Sequence, residues 1–201
     1  GYYGGANENR SVDRQTYYDW PATFQLVREL QPATLIFSDG GPDIRWVGNE
    51  KGFAGKTNWS LLKKDDFYPG TPHYGILPEG QEEGTDWLPA EVDVSIRPGW
   101  YYHERENEQV KTTGELMDIY YQSVGRDACL LLNVPPGPDG LIHAPDRERL
   151  YAFHQQLELD FSREGVPLKT ESDADRGRNF RASRVNDNNP DTYWGTPDEV
   201  R

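Results

Sequence analysis

The chain has 201 residues, 35% of them hydrophobic and 12% aromatic, and a formal net charge of −13. That is enough apolar material for one substantial core, so a disordered chain is excluded. An acidic field of this size repels a phosphate backbone and no apolar run reaches the ~20 residues of a membrane-spanning helix, so neither a nucleic-acid partner nor membrane insertion is expected.

No basic-then-apolar leader stands at the front. With Gly1 first and Met117 the single methionine, the chain reads as a cut or processed piece. The first predicted element is a helix capped by Asp19, with Pro21 in its first turn, Trp20, Phe24, Val27 and Leu30 on one face, and Pro32 stopping it. Ala33 to Phe37 predicts a short apolar strand, and Val92 to Ile96 a second one ended by Pro98-Gly99. Between them lie ~50 residues without sustained period, far beyond an ordinary ~4–6-residue connection, so this is either a functional loop region or an incomplete assignment of elements. Thr112-Thr-Gly-Glu115 has capping-box spacing and opens a helix with Leu116, Ile119, Tyr120 and Val124 on its stripe, closed by Gly125. A third strand follows over Ala128 to Val134, within which the lone Cys129 reads as a buried thiol; one cysteine forms no intrachain disulfide. Pro145 suits the start of a last helix, with Leu150, Phe153, Leu157 and Phe161 on one face up to Gly165. From there the texture turns polar, and a domain boundary is placed between residues 165 and 166.

Near-continuous apolar strands alternating with amphipathic helices predict a parallel α/β sheet, either doubly wound or a barrel. Three strands cannot close a barrel, and a complete one takes ~250 residues, so barrel material here amounts to about half. In such folds the chemistry sits on the loops after the strands. The stretch PDIRWVGNEKG, Pro42 to Gly52, occupies such a place; so do Arg97-Pro-Gly-Trp-Tyr-Tyr-His103 and Asn133-Val-Pro-Pro-Gly-Pro-Asp-Gly140. Trp, Tyr and His beside acids suit a sugar, whose C–H faces stack on aromatics while its hydroxyls need polar partners. Glycosidic cleavage needs one carboxyl that starts protonated and another that starts ionised. Glu50, close to Trp46 and Phe53, is expected to hold its proton in apolar surroundings.

The motifs FSDGGPDIRWVGNEKG, SIRPGWYYH and SVGRDACLLLNVPPGPDGLI, in that order, resemble the catalytic domain of glycoside hydrolase family 29 α-L-fucosidases, nearest the branch acting on α-1,3/4-linked fucose. The resemblance covers roughly residues 1 to 165. It implies the C-terminal half of a (β/α)8-like (TIM) barrel, a retaining mechanism with an Asp nucleophile and a Glu acid/base, no cofactor, a fucosylated oligosaccharide or glycan as substrate, and a periplasmic or extracellular location. On it, Glu50 is the acid/base, Arg45, Trp46 and Trp100 line the fucose pocket, and His103 borders it. The nucleophile of the relatives precedes the segment matching Gly1-Tyr-Tyr-Gly-Gly5 and is expected upstream; Asp39, in a superficially similar Phe-Ser-Asp-Gly-Gly, belongs to the next strand and is declined. Residues 166–201 are expected to be a linker and the start of a discoidin-like carbohydrate-binding β-sandwich, on the similarity of NDNNPDTYWGTPD.

Plainer readings stand beside these. Glu50 could be a solvated loop acid, Arg45 could pair with Asp43 or Glu50 to hold the loop, and Trp46 and Trp100 could be packing, the role given to Trp59, Trp87 and Trp194. The four histidines lack zinc-site spacing and Asp187 to Asp191 lacks the pattern of an EF-hand, so no metal is expected. Two other functions remain open: a non-catalytic, lectin-like fucose-binding barrel, and another barrel glycosidase.

Overall fold

The computed structural model describes residues 13–162 and 169–197. The chain divides into two compact units, Gly1–His154 and Gln155–Arg201. In the first, α1 spans Trp20–Leu30, β1 Phe37–Ser38, β2 Ile44–Trp46, β3 Leu61–Leu62, β4 Asp86–Trp87, β5 Ala90–Ser95, α2 Thr113–Ser123 and β6 Ala128–Asn133; α3, Ala144–Phe161, begins in it.

The predicted caps form. Asp19 accepts a hydrogen bond from the Ala22 N–H at 3.1 Å, and Pro21 occupies the first turn, where its missing N–H costs nothing. At α2 the capping box closes both ways: Thr112 Oγ1 accepts from the Glu115 N–H at 3.2 Å, and Glu115 Oε2 from the Thr112 N–H at 2.7 Å. The expected end of the last helix at Gly165, and the boundary after it, lie outside the described residues.

Four strands pair in the order β1-β2-β5-β6, all parallel. Each new strand joins on the same side of the last, without the reversal of order that marks a doubly wound sheet. The sheet is therefore barrel-like. The long unassigned segment contained three strands: β2 inside PDIRWVGNEKG and the antiparallel β3–β4 hairpin. They escaped notice because two or three residues are too few for a period-2 pattern to register, and the middle residue of β2 is an arginine.

Side chains alternate across the sheet. Arg45, Val47, Ala90, Val92, Val94 and Ala128 share a covered face, where Val94 and Ile96 pack with Leu116 and Ile119 of α2 and with Leu150 and Phe153 of α3. Trp46, Glu91, Asp93 and Ser95 point the other way, in register with Cys129, Leu131 and Asn133. Cys129 lies on that side and is exposed, which corrects the buried thiol expected of it: the alternation of β6 turns it away from the helices. Trp87, expected as packing, is 72% exposed on the short hairpin, one side of which faces solvent; Trp59 and Trp194 are likewise exposed.

In the second unit, described residues 169–197 hold two 3-10 turns, Arg178–Phe180 and Ala182–Val185. The Asp187 carboxylate accepts from Arg184, from Thr192 Oγ1 and from the Asn189 N–H. No helix among the described residues is long and apolar enough to cross a membrane.

Candidate active site

The site is assembled where parallel strands end. After β2 the chain passes buried Val47 and turns at Gly48, whose φ of +77° and close approach to the Tyr74 carbonyl, 2.8 Å from where a Cβ would stand, require glycine. Asn49 then braces the loop from both sides. Its side chain donates to the Phe53 carbonyl at 3.1 Å and accepts from the Lys51 N–H at 3.0 Å, which presents Glu50 outward. Glu50 is exposed, not enclosed by apolar groups as expected: the turn that presents it also lifts it off the core.

The partner of Glu50 comes from the loop after β5. Trp100 Nε1 donates to Glu50 Oε2 at 3.0 Å. Trp100 is itself held by Asn133 at the end of β6, whose Nδ2 donates to the Trp100 carbonyl and to Ser95 Oγ, both at 3.0 Å. Beneath this loop Arg97 and Asp146 form a fully buried ion pair, with Arg97 Nη2 2.7 Å from Asp146 Oδ2 and Nε 3.0 Å from both carboxylate oxygens. Arg97 Nη1 also reaches the His103 carbonyl at 3.3 Å and Asn107 at 3.1 Å. Three strand ends and the first turn of α3 thus hold one indole against one carboxylate.

On the uncovered face, Trp46 Nε1 donates to Asp93 Oδ1, and the Trp46 ring meets Tyr74 edge-on at 5.7 Å. Burial pushes the Asp93 carboxyl above its ordinary range; the Trp46 N–H acts against this and the nearby charge of Glu50 adds to it. Glu91 is raised too, first by burial and then by Asp93. Tyr74 is raised by burial and hydrogen-bonded to Asp39. Asp39 accepts from the Gly70 N–H at 2.5 Å and is raised by burial, so the aspartate declined as a nucleophile serves to bolt a loop.

Glu50, Trp46 and Trp100 are thereby brought to one end of the sheet. Arg45 is not, and its expected role in the pocket is corrected. It is 0% exposed, on the covered face; its Nε donates to the Leu77 carbonyl at 3.0 Å, Nη1 to the Leu88 carbonyl and Nη2 to Asn58 Oδ1 at 2.6 Å. Burial pushes its pKa down to about 10, which leaves it a cation at neutral pH, fastening the 58–88 segment to the sheet. Nor does it pair with Asp43, which binds Arg28 and the Ile36 N–H. His103 ends the same loop as Trp100, exposed, with its carbonyl on Arg97.

Sequence reading missed Asp93, Tyr74 and Asn133. The signal for Asp93 was present in Glu91-Val-Asp-Val-Ser95, whose strict alternation marks one polar and one apolar face. Nothing local points to Tyr74, which arrives from a loop 28 residues beyond Trp46. Among the described residues no group of three or more His, Cys, Asp or Glu side chains is placed to hold a metal ion. What the arrangement can do is seat a sugar ring against indole faces with one carboxyl in reach for proton transfer.

The family model for alpha-L-fucosidase matches residues 3–160. Alpha-L-fucosidase 1 of Arabidopsis thaliana is 40% identical over 200 residues, which are 97% of this chain and 38% of that protein. A glycoside hydrolase 29 family member from an unknown rumen bacterium superposes with a TM-score of 0.75 at 48% identity, over 87% of this chain and 31% of that one. A Ruminococcus gnavus glycoside hydrolase 29 fucosidase, solved in complex with fucose, gives 0.69 at 29% identity, over 96% and 40%. The chain thus spans well under half the length of these relatives, and its four-stranded sheet corresponds to the C-terminal half of their (β/α)8-like barrel.

Proposed function

The chain belongs to the alpha-L-fucosidase family, and from that premise we propose that the full-length protein containing it is a retaining exo-α-L-fucosidase acting on α-1,3/4-linked fucose of oligosaccharides or glycoconjugates. The observation that carries this reading is the Glu50 carboxylate at a strand end, hydrogen-bonded to the Trp100 indole, with Trp46 on the adjoining face.

The mechanism is a double displacement. An Asp nucleophile, which the family resemblance puts upstream, attacks C1 of fucose while Glu50 gives a proton to the departing glycosidic oxygen; Glu50 then takes a proton from the water that hydrolyses the fucosyl-enzyme. A retaining pair of carboxyls lies about 5–5.5 Å apart. Trp46 and Trp100 stack on the apolar side of the sugar, and His103 borders the pocket.

Fucose release from an α-1,3/4-fucosylated trisaccharide tests the proposal. The wild type is expected to release fucose and Glu50→Ala to lose that activity; a full-length protein that releases none but binds the sugar is a lectin, and one that releases galactose instead is another glycosidase. Glu50→Gln refines the role, since it should cripple substrates with poor leaving groups while sparing the first step on activated aryl fucosides. Equal loss on both would remove Glu50 from the acid/base role. We extend the proposal to a periplasmic or extracellular location, to a division into residues 1–165 and 166–201, and to a discoidin-like sandwich beginning in the latter. Cell fractionation, and a carbohydrate-binding assay on the complete C-terminal domain, test these.

A further inference from the structure

The turn after β5 is fixed more firmly than its exposure requires. Tyr101 is 80% exposed and Trp100 only half-buried, so packing alone does not set where the indole points. Hydrogen bonds set it. The last residues of β5 and β6, Ser95 and Asn133, are register partners, and together they take two consecutive carbonyls of the turn. Ser95 Oγ donates to the Gly99 carbonyl at 2.7 Å, and Asn133 Nδ2 donates to the Trp100 carbonyl at 3.0 Å. Asn133 Nδ2 also donates to Ser95 Oγ at 3.0 Å, which closes the pair into one clamp. Its root is held as well, since Lys111 Nζ donates to the Ser95 carbonyl at 2.6 Å. The Glu106 carboxylate, 7% exposed, fills the space beside Gly99, where a Cβ would stand 3.3 Å from Oε1 and 3.4 Å from Oε2.

What the clamp presents is one donor. Trp100 Nε1 donates to Oε2 of Glu50, whose side chain is otherwise exposed. An exposed glutamate samples many rotamers, and a directional bond to one oxygen selects among them. It also makes the two oxygens different. A protonated carboxyl carries a single O–H, and with Oε2 accepting from the indole the proton belongs on Oε1, the oxygen left to face a substrate.

We propose that Asn133 and Ser95 are positioning residues for proton transfer: they aim the Trp100 N–H at Glu50 Oε2, which leaves Oε1 to give its proton to the departing glycosidic oxygen and, in the second step, to accept one from water. The indole keeps its own hydrogen throughout. The proposal rests on the fucosidase reading with Glu50 as acid/base, and its test separates the two. In the full-length protein, kcat/KM is measured on phenyl α-L-fucoside, whose leaving group needs a proton, and on 2-chloro-4-nitrophenyl α-L-fucoside, whose leaving group does not. Damage to the fold or to the sugar pocket lowers both values alike and cancels in their ratio. Asn133→Leu, similar in size but without a donor, and Trp100→Phe are each expected to raise the activated-to-phenyl ratio about tenfold, within the ~10²–10⁴-fold that a positioned acid contributes. The double variant should raise it no further than Trp100→Phe alone. If Glu50→Gln raises the ratio and Asn133→Leu does not, the proposal falls while the acid/base role stands; ratios that multiply in the double variant would overturn it too. Ser95→Ala, read by the same outcomes, takes the place of Asn133→Leu should that variant fail to fold. Should the wild type hydrolyse neither fucoside, the fucosidase reading fails by itself. The clamp is then read from the Trp100 indole N–H resonance, assigned by its loss in Trp100→Phe: movement in Asn133→Leu toward its position in Glu50→Ala upholds the clamp, and an unmoved resonance overturns it.

Discussion

The two faces of the four-stranded sheet are built from the same strands and alternate residue by residue, yet they are different environments. The covered face is closed where Leu116 and Ile119 of α2 and Leu150 and Phe153 of α3 pack on Val94 and Ile96, and Arg45, a cation on that face, has its donors taken by two carbonyls and an amide. The other face carries Trp46, Glu91, Asp93 and Ser95 beside Leu131, 45% exposed, and Phe37, 43% exposed. One face stabilises by excluding water from apolar surface. On the other, partial burial raises the proton affinity of two acids, which costs stability and supplies the chemical groups of a site. The fold places its candidate site at the end of the face its helices leave uncovered.

Each side of this contrast can be broken. The largest effect is expected at Asp146→Ala, which strands the buried Arg97 charge and should cost about 3–5 kcal/mol in a denaturant titration, with the Trp100 loop loosened. Leu116→Ala, on the covered side, should cost about 2–5 kcal/mol, the usual range for a buried leucine. If the rest of the barrel closes over the open face, Leu131→Ala in the full-length protein should cost more than about 1 kcal/mol; a cost within ±0.5 kcal/mol would leave that face at a solvent surface.

Smaller changes sharpen the comparison. Asp93→Leu removes the acceptor of the Trp46 indole and should raise KM for an aryl fucoside roughly three- to tenfold, whereas Asp93→Asn, which retains an acceptor, should stay near wild type. Glu91 tests the electrostatics. Its folded pKa is raised, so in the window from its ordinary value of 4.5 up to the folded value the native state holds more protons than the unfolded, and stability falls as pH rises. Glu91→Gln should therefore equal wild type in acid and become more stable as pH rises through that window; parallel urea midpoints across the range would contradict it.

Much of this was legible beforehand, for reasons specific to each element. The caps at Asp19 and Thr112 and the helices they start are local, and each formed where predicted, whereas Leu30 and Val124, placed on the packing stripes, stand exposed at the helix ends. The Trp-Val-Gly-Asn-Glu and Pro-Gly-Trp motifs pointed to Glu50 and Trp100, two residues that a hydrogen bond joins in the structure. What was misread were side chains whose fate depends on partners far along the chain. Arg45 looked like a ligand-binding cation because it stands beside Trp46 and near Glu50, but consecutive strand residues point to opposite faces, and its donors go to Asn58, Leu77 and Leu88. Cys129 looked buried because its neighbours are leucines, and strand alternation turned it outward.

The sequence alone determined the helices, the longer strands, the parallel α/β class and the position of the candidate carboxylate, since each is written in spacing, capping or contiguous motif. Only the tertiary structure decided which side of each strand meets the helices, that Trp100 would cross to Glu50, that Asp93 would hold Trp46, and that Asn133 would hold Trp100. Those outcomes depend on contacts between residues tens of positions apart, and they are settled when the burial of one apolar face assigns every alternate side chain to the other.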